Sequence, residues 1–412
     1  MDTNLKYVEI KTALRKNSLP NHFLGKYSFS PYRACEHACK YCDGRAEKYY
    51  VDGNFEKDIV IRKNLLSVLA NDLRKIREKG YVTIGSGVSD AYQPIEEKTF
   101  LMQNCAKILN NFNLNLNFNL NRDNDHHHSV INRYNLNLSV KVITKSKLIM
   151  RDIDYWEKIH KKSAFLLCMS IVFADDNLRQ IFEPKASSID ERFKTLQEFK
   201  ARGMYVGILM MPLIPLIGDS DDNITKIIER AKKIGVDFIL PSTTTLREGI
   251  QKDSFLQLIK NNFNNHYKDM LYLYSNNAKS GNPILSYREN FYARLKKIFS
   301  NTKINTVVPH YTYKNCYPLY DELFLLLNDM ECFYESRDVN TKPLKYSISR
   351  YEEWLLEEKS KFNRKRNLNY RYLEDLFLEN ISNHNMDEII KNEKLMKLIK
   401  RVVLDRETIT LL

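Results

Sequence analysis

The sequence predicts an α/β protein in which a parallel sheet or partial barrel, covered by helices, precedes a helix-rich region. From about Phe23 to Leu246, short apolar runs alternate with stretches of helical periodicity, the pattern of βα units. Beyond Leu246 the alternation ends and helical patterns dominate. Because parallel strands need a long crossover connection, usually a helix, this alternation favours a parallel sheet with helices outside.

Six apolar runs are predicted as strands. They are YSFSPYRAC, Tyr81–Gly87, Val140–Ser146, Ala164–Phe173, Met204–Ile214 and Val236–Ser242. The helices predicted between them are Lys63–Lys79, Glu96–Leu109, Arg151–Lys162, Ser188–Ala201 and Asp222–Ile234. Gly235 is the stop signal of the last of these helices. The C-terminal helical patterns are Ser286–Phe299, Leu319–Leu327, Ile348–Phe362 and Met386–Val403.

The chain of 412 residues predicts two or three domains. We expect an N-terminal segment at 1–25, a barrel at 26–246 and the helix-rich region at 247–412. The stretch 110–137 alternates Asn with Leu or Phe around a DNDHHH tip, which predicts a surface insertion that is partly disordered. We interpret its three histidines as a solvated loop tip, because no Cys or spaced acidic residue completes a metal site there.

Composition narrows the class of protein. The net charge of +13 favours acidic partners such as nucleic acid. The sequence has no run of about 18 apolar residues, so no membrane span is expected, and the polar start MDTNLKYVEIKTALRK does not resemble a signal peptide. Seven cysteines, three of them within eight positions, indicate a reducing cytoplasm and a metal site instead of disulfides. The oligomeric state stays open.

The three clustered cysteines form a C-x3-C-x2-C motif, Cys35, Cys39 and Cys42, after the first predicted strand. Three thiolates on one short loop can hold three corners of a [4Fe–4S] cubane and leave the fourth iron open. The alternative is a Cys3His zinc site with His37, whose position between Cys35 and Cys39 is awkward for tetrahedral geometry. The remaining cysteines are scattered at Cys105, Cys168, Cys316 and Cys332.

This motif, with an aromatic residue before its last cysteine, resembles the radical S-adenosylmethionine (SAM) superfamily. More narrowly, the chain is similar to the spore photoproduct lyase-like family of DNA-repair-photolyase-like proteins. The matching segments are SPYRACEHACKYCDGR, SGVSDAYQPIE, ITKSKLIMRDID, MSIVFADD with FEPKASSIDERF, and GILMMPLIPLIGD. The resemblance implies a partial (β/α)6 TIM-like barrel and a [4Fe–4S] cluster that binds SAM at its open iron. Reductive cleavage of SAM would give a 5′-deoxyadenosyl radical, with electrons from an external donor such as flavodoxin or ferredoxin.

The resemblance also implies SAM contacts at the carboxyl ends of the strands, where such sheets place active sites. A carboxylate there accepts from the SAM ammonium, a lysine neutralises its carboxylate, and an apolar side chain packs on its adenine. The implied residues are Tyr41, Ser89, Asp90, Lys145, Ser170 and Met211. Glu183 and Arg192 match the family pattern as well, and they are expected to pair with each other and hold a loop.

One position departs from the family pattern. In spore photoproduct lyases a cysteine stands where this sequence has Gly87, and it returns a hydrogen atom to the product radical. Glycine has no thiol, so the hydrogen donor of this protein is open. Cys168 is a candidate because it shares a strand face with Ser170, although a small apolar core cysteine is the favoured interpretation.

The segment Lys359–Tyr372 interleaves basic residues with tyrosines, which fits either nucleic-acid contact or a solvated helix end. The sequence therefore predicts a radical SAM enzyme that acts on a nucleic-acid lesion or base. The alternatives are a radical SAM enzyme acting on a small molecule, a peptide or RNA, and a non-catalytic zinc-binding nucleic-acid module.

Overall fold

The computed structural model describes residues 3–49, 53–85, 87–115, 132–276 and 278–411. Within these ranges the strands form two sheets. The strands are β1 Asn4–Val8, β2 Arg15–Lys16, β3 Tyr27–Phe29, β4 Tyr32–Arg33, β5 Asp58–Arg62, β6 Gly80–Ile84, β7 Leu138–Thr144, β8 Phe165–Ser170, β9 Tyr205–Leu213 and β10 Phe238–Thr243.

The larger sheet has the order β10-β9-β8-β7-β6-β3-β2. Its six strands from β3 to β10 are parallel to their neighbours, and β2 is antiparallel to β3. All six predicted strands are present in this sheet. Together with the helices that separate the strands, it confirms the partial (β/α)6 barrel.

Helices cover the outside of the barrel and build the C-terminal region. They are α1 Leu65–Leu73, α2 Glu96–Thr99, α3 Leu101–Asn113, α4 Ile153–Lys162, α5 Asp176–Phe182, α6 Ile189–Ala201, α7 Asp221–Ile234, α8 Ile250–Asn262, α9 Asn264–Leu273, α10 Leu285–Ser300, α11 Leu319–Glu335, α12 Lys342–Arg364, α13 Tyr370–Ser382, α14 Asn385–Ile390 and α15 Glu393–Val403. None of these helices is long and apolar enough to cross a membrane.

Residues of the local sequence determine where helix α7 begins and ends and which face it buries. The Ser220 side chain accepts a hydrogen bond from the backbone N–H of Asn223, and this N-cap starts the helix. Gly235 ends it with a φ of 74°, a left-handed conformation that glycine adopts without steric cost. Buried residues such as Ile224 and Ile228 recur at helical spacing and face the barrel.

The first predicted strand, the run YSFSPYRAC, is divided in the structure. β3 joins the barrel next to β6, whereas β4 pairs with β5 in a separate sheet of order β1-β5-β4. The break falls at Pro31, which lacks the N–H that would continue the ladder. The loop with the clustered cysteines follows β4, so the small sheet anchors its beginning.

The predicted insertion at 110–137 has ordered ends. α3 continues to Asn113, whose side-chain amide exchanges hydrogen bonds of 2.8 and 2.9 Å with the backbone of Leu138. Asn132 binds the backbone of Leu136 in the same way, and both asparagines are buried. These asparagines therefore replace missing peptide partners, a role that composition alone does not reveal. The DNDHHH tip lies outside the described residues.

Buried apolar side chains divide the chain near residue 300. Helices α8, α9 and α10 share the core of the barrel through residues such as Phe255 and Phe291. A second apolar core begins with Tyr320 on α11 and extends to Val403 on α15. The domain boundary predicted at 246/247 stays a prediction, and this packing favours a boundary about 50 to 70 residues later.

The segment before and within α11 closes the barrel at the amino-terminal ends of its strands. The hydroxyl of Tyr81 donates to the carbonyl of Thr312 at 2.6 Å, and that of Tyr317 donates to the carbonyl of Leu24 at 2.5 Å. Both tyrosines are fully buried in an apolar cluster that also holds strand residues such as Cys168. The C-terminal region is therefore packed opposite the ends where the predicted SAM contacts lie.

A buried network of charges fastens the C-terminal region to the barrel. Glu78, which precedes β6, lies 2.7 Å from the Lys359 ammonium of α12 and 3.4 Å from that of Lys26. Asp321 of α11 lies 3.0 Å from both ammonium groups. We call these four side chains the interdomain ion network. The predicted helix Lys63–Lys79 ends early, at Leu73, and the chain then turns so that Glu78 reaches this network.

The basic segment Lys359–Tyr372 lies on this same side of the molecule. The guanidinium of Arg77 donates to the carbonyls of Lys365 and Leu368, and the N–H of Tyr370 donates to the carbonyl of Arg77. Because Arg77 precedes β6, the segment borders the amino-terminal ends of the strands. It does not border the predicted site at their carboxyl ends.

The carboxyl group of Asp329 is expected to make stability depend on pH. Burial raises its pKa from 3.8 to about 8, while a hydrogen bond from the hydroxyl of Tyr313 opposes the rise. An unfolded chain loses this proton near pH 4, so stability is lost as pH rises from about 4 to about 8. Asp329→Asn should remove this loss, and the melting temperature should fall by several degrees less between pH 5 and pH 8 than in the wild type. If the melting temperatures of the wild type and the variant change by the same amount between pH 5 and pH 8, this role of Asp329 is contradicted.

Candidate active site

A cavity of about 480 Å³ opens at the carboxyl ends of the barrel strands. Its volume lies within the range of small-molecule and cofactor sites. All nine residues predicted to bind the cluster or SAM line it, although they come from the cysteine loop and from four different strand ends. They are Cys35, Cys39, Tyr41, Cys42, Ser89, Asp90, Lys145, Ser170 and Met211.

The loop from Cys35 to Cys42 is held in a tight, mostly buried conformation. Ala38 adopts a left-handed φ of 58°, and the Arg45 guanidinium donates to the carbonyls of Ala38 and Cys39 at 3.1 and 2.8 Å. Gly44 follows the loop, and a Cβ at this glycine would lie 2.5 Å from the ring of Phe55. Hydrogen bonds from the Arg45 side chain and close packing at Gly44 therefore fix the backbone of the loop.

The donor set of this loop fits an iron–sulfur cluster. The three thiols are free and line one cavity, and burial raises their pKa, that of Cys39 to about 12. A cubane spreads three thiolates over three iron atoms. Within the described ranges, no three Cys, His, Asp or Glu side chains converge as the ligands of a single metal ion. The three thiols therefore fit a cubane, which takes one thiolate at each of three iron atoms.

His37 lies between Lys185 and Asp90 at the wall of the cavity. Its Nδ1 lies 3.2 Å from the carbonyl oxygen of Lys185, and its Nε2 lies 3.3 Å from a carboxylate oxygen of Asp90. Its Nδ1 thus has a hydrogen-bond partner, whereas its buried Nε2 makes no hydrogen bond among the described residues. His37 supports the wall of the cavity.

Tyr41 connects the cysteine loop to a buried ion pair. Its hydroxyl donates to Glu183, whose carboxylate lies 2.5 Å from the guanidinium of Arg192. Arg192 also donates to the backbone carbonyl of Ser170 at 3.0 Å. Burial opposes ionisation of Glu183, but Arg192 and Lys145 outweigh it and keep the pKa of this carboxyl below its ordinary value. The expected pairing of Glu183 with Arg192 is thus present, and it joins the loop to β8.

Asp90 is the most heavily bonded of the predicted SAM contacts. It accepts hydrogen bonds of 2.8 Å from the Thr144 hydroxyl and from the N–H groups of Lys145 and Tyr92. Although burial opposes ionisation, these donors and His37 lower its pKa. Asp90 therefore holds the ends of two strands together, and its contact with the SAM ammonium stays a prediction.

Lys145 and Ser89 frame the same part of the cavity. The ammonium of Lys145 lies 5.8 Å from the ring centroid of Tyr41. The hydroxyl of Ser89 donates to the carbonyl of Ala34 at 2.9 Å and so supports the start of the cysteine loop. Ser170 and Met211 line the cavity from the neighbouring strands β8 and β9. Their contacts with SAM stay predictions.

The structure separates the two positions considered for a hydrogen donor. Gly87 lines the cavity, and a Cβ built on it would meet no heavy atom of the described residues within 4 Å. Cys168 instead lines a small apolar void with residues such as Leu166 and Phe238. Burial raises the pKa of this thiol to about 11. Lys141 lines the same void and opposes the rise of the thiol pKa, so the surroundings are not entirely apolar, and a role as hydrogen donor stays a prediction.

Several residues at the site were not predicted from the sequence. The side-chain amide of Gln251 on α8 donates to Asp43 at 3.0 Å and to the carbonyl of Tyr41 at 3.2 Å, and Thr245 also donates to Asp43. No local pattern links Gln251 to a loop 208 residues earlier. Lys141 on β7 lines the cavity as well. Its position could have been predicted from the sequence, because it precedes Lys145 by four residues and so lies on the same face of the strand.

Comparison with known proteins agrees with this architecture. The family model of the Radical SAM superfamily matches residues 29–231, which include the cysteine loop and the strands through β9. This part of the chain is a radical SAM domain, and such a domain indicates an enzyme.

Two curated relatives carry names that give no activity. An uncharacterised protein of Methanocaldococcus jannaschii is 27% identical over 217 residues, which cover 52% of this chain and 70% of that protein. An uncharacterised protein of Mycobacterium tuberculosis is 22% identical over 230 residues, which cover 55% of this chain and 60% of that protein. The matches thus leave out 30 to 40% of the relatives' own length.

Two solved structures are similar to this chain at low sequence identity. A mutant of spore photoproduct lyase is 12% identical, with a TM-score of 0.47 over 73% of this chain and 79% of that chain. Spore photoproduct lyase complexed with dinucleoside spore photoproduct is 12% identical, with a TM-score of 0.42 over 62% of this chain and 66% of that chain.

Proposed function

We propose that the protein holds a [4Fe–4S] cluster through Cys35, Cys39 and Cys42 and binds SAM in the adjoining cavity. The observation that carries this proposal is the convergence of all nine predicted residues on one cavity beside three free thiols. When bound, the cluster would supply the electron for reductive cleavage of SAM.

The residues around the thiols would position SAM and limit access of water. Lys145 would neutralise the SAM carboxylate, and Ser170 and Met211 would contact its adenosine part. The ion pair of Glu183 with Arg192 keeps Tyr41 in place beneath Lys145. Such a preorganised wall lets a reactive cofactor act in a site shielded from solvent.

We propose a nucleic-acid lesion or base as the substrate, on the basis of the sequence resemblance and the net charge of +13. The decisive experiment incubates the anaerobically reconstituted protein with SAM, a reductant and ultraviolet-damaged DNA. Formation of 5′-deoxyadenosine together with restored thymine is the expected result. Formation of 5′-deoxyadenosine without restored thymine would retain the enzyme and reject thymine-photoproduct repair.

The second candidate is a radical SAM enzyme acting on a small molecule, a peptide or RNA, and two observations favour the small molecule or the peptide. The basic segment Lys359–Tyr372 lies away from the cavity, so it supplies no nucleic-acid groove beside the site. Gly87 supplies no thiol where the lyase-like family has one. This candidate predicts that damaged DNA leaves the rate of 5′-deoxyadenosine formation unchanged.

Gly87→Cys separates the two candidates. The cavity has room for the side chain, so the variant should fold and place a thiol beside the SAM site. If the substrate is a thymine photoproduct, the variant should yield more repaired thymine and fewer side products than the wild type. Gly87→Ser is the matched control, because it has nearly the same size without an S–H group. The absence of restored thymine from the wild type and from both variants would contradict a photoproduct substrate.

A further inference from the structure

A row of three polar side chains crosses the inner wall of the barrel. Ser28 on β3 is the register partner of Thr83 on β6, and Thr83 is the register partner of Lys141 on β7. Register partners in a parallel sheet point to the same face. All three line the cavity. We name them the polar row.

Lys141 is a buried cation without an acidic partner. Its side chain is 2% exposed, and its ammonium donates to the backbone carbonyl of Phe23. No carboxylate among the described residues forms an ion pair with it, whereas Lys26 and Lys359 each contact two. Burial lowers its pKa to about 8. Buried lysines are normally paired, so this one calls for an anion from outside the chain.

The middle member of the row has an unmet hydrogen bond. The hydroxyl of Thr83 is buried and has no hydrogen-bond partner among the described residues. A buried polar group without a partner is unusual in a folded protein. An oxygen-bearing anion would accept from this hydroxyl and from the neighbouring ammonium at once, and charge-assisted bonds of this kind are the stronger ones.

We propose that the polar row binds an anionic group of the substrate, a phosphate or a carboxylate, inside the barrel. This inference rests on the proposed function, since it places the substrate in the cavity that also receives SAM. Lys145 follows Lys141 by four residues, about 13 Å along an extended strand. The two lysines are thus far enough apart to serve two different ligands, SAM near the rim and the substrate deeper in the barrel.

The test measures anion binding by titration calorimetry on the anaerobically reconstituted protein with SAM. Inorganic phosphate and acetate are the separate probes, at an ionic strength held constant with sodium chloride. At least one probe should bind to the wild type, and Lys141→Met should weaken this binding about tenfold or more. The control Lys161→Met removes an exposed lysine of α4 and should bind like the wild type.

Equal binding to the wild type and Lys141→Met, or no binding of either probe to the wild type, would overturn the proposal. If Lys141→Met does not fold, the nearly isosteric Thr83→Val carries the test and should weaken binding about threefold. SAM cleavage by the same wild-type preparation is measured in parallel. Cleavage without anion binding rejects the polar row alone, whereas anion binding without cleavage rejects the proposed function alone.

Discussion

Replacing Cys35, Cys39 or Cys42 with alanine is expected to abolish both iron binding and SAM cleavage. Each thiol would hold a different corner of the cubane, so the loss of one leaves two iron atoms without a protein ligand. The other described cysteines cannot substitute for it, because they lie outside this loop. Iron and acid-labile sulfide per chain, the visible absorption spectrum and the yield of 5′-deoxyadenosine measure the effect.

Cys332→Ala is the matched control for these variants. Cys332 is free and exposed on α11, so its replacement should leave iron content and SAM cleavage unchanged. A loop variant that keeps a full complement of iron and cleaves SAM at the wild-type rate would refute the cluster assignment. Zinc without iron or sulfide in the wild-type protein would instead support the Cys3His interpretation.

Glu78→Gln is expected to cause the largest loss of stability among conservative substitutions outside the site. The carboxylate of Glu78 contacts the ammonium groups of Lys16, Lys26 and Lys359 and accepts a hydrogen bond from Tyr320. Without its charge, two buried lysines share the single carboxylate of Asp321. Breaking a buried pair in this way costs about 3 to 5 kcal/mol.

Urea denaturation of the wild type and the variant measures this loss as a change in the free energy of unfolding. Glu407→Gln is the control, because Glu407 pairs with Arg401 on the surface and should shift the midpoint little. Equal midpoint shifts for the two variants would show that the interdomain ion network adds nothing beyond a surface pair.

The barrel strands could be predicted because each buried run is flanked by helical periodicity. Two strands of the small sheet could not: all five residues of β1 are exposed, and β4 has two residues, so neither carries a strand pattern, whereas β5 alternates buried and half-buried residues and was missed. The early end of α1 could not be predicted either, because Glu78 lies outside the helix and pairs with Lys359, which is 281 residues later in the sequence. Partners so distant in sequence leave no local signal.

The site could be predicted in outline from the spacing of its cysteines and from strand-end polar residues. The sequence does not reveal which of these residues already make hydrogen bonds within the fold. From the sequence, the carboxylate of Asp90 was expected to be available to SAM. In the structure it already accepts hydrogen bonds from Thr144, Tyr92 and the backbone of Lys145. Conversely, Thr83 looked like an ordinary strand residue, and only the folded chain leaves its hydroxyl without a partner.

The closure of the barrel by the segment before α11 has a consequence for the extent of the functional unit. The family match ends at residue 231, but Tyr317 and Thr312, which seal the amino-terminal ends of the strands, lie far beyond it. A chain truncated after β10 would open the base of the barrel to solvent and let water reach the cavity from below. Since radical intermediates must be shielded from solvent, we expect the C-terminal region to be required for catalysis.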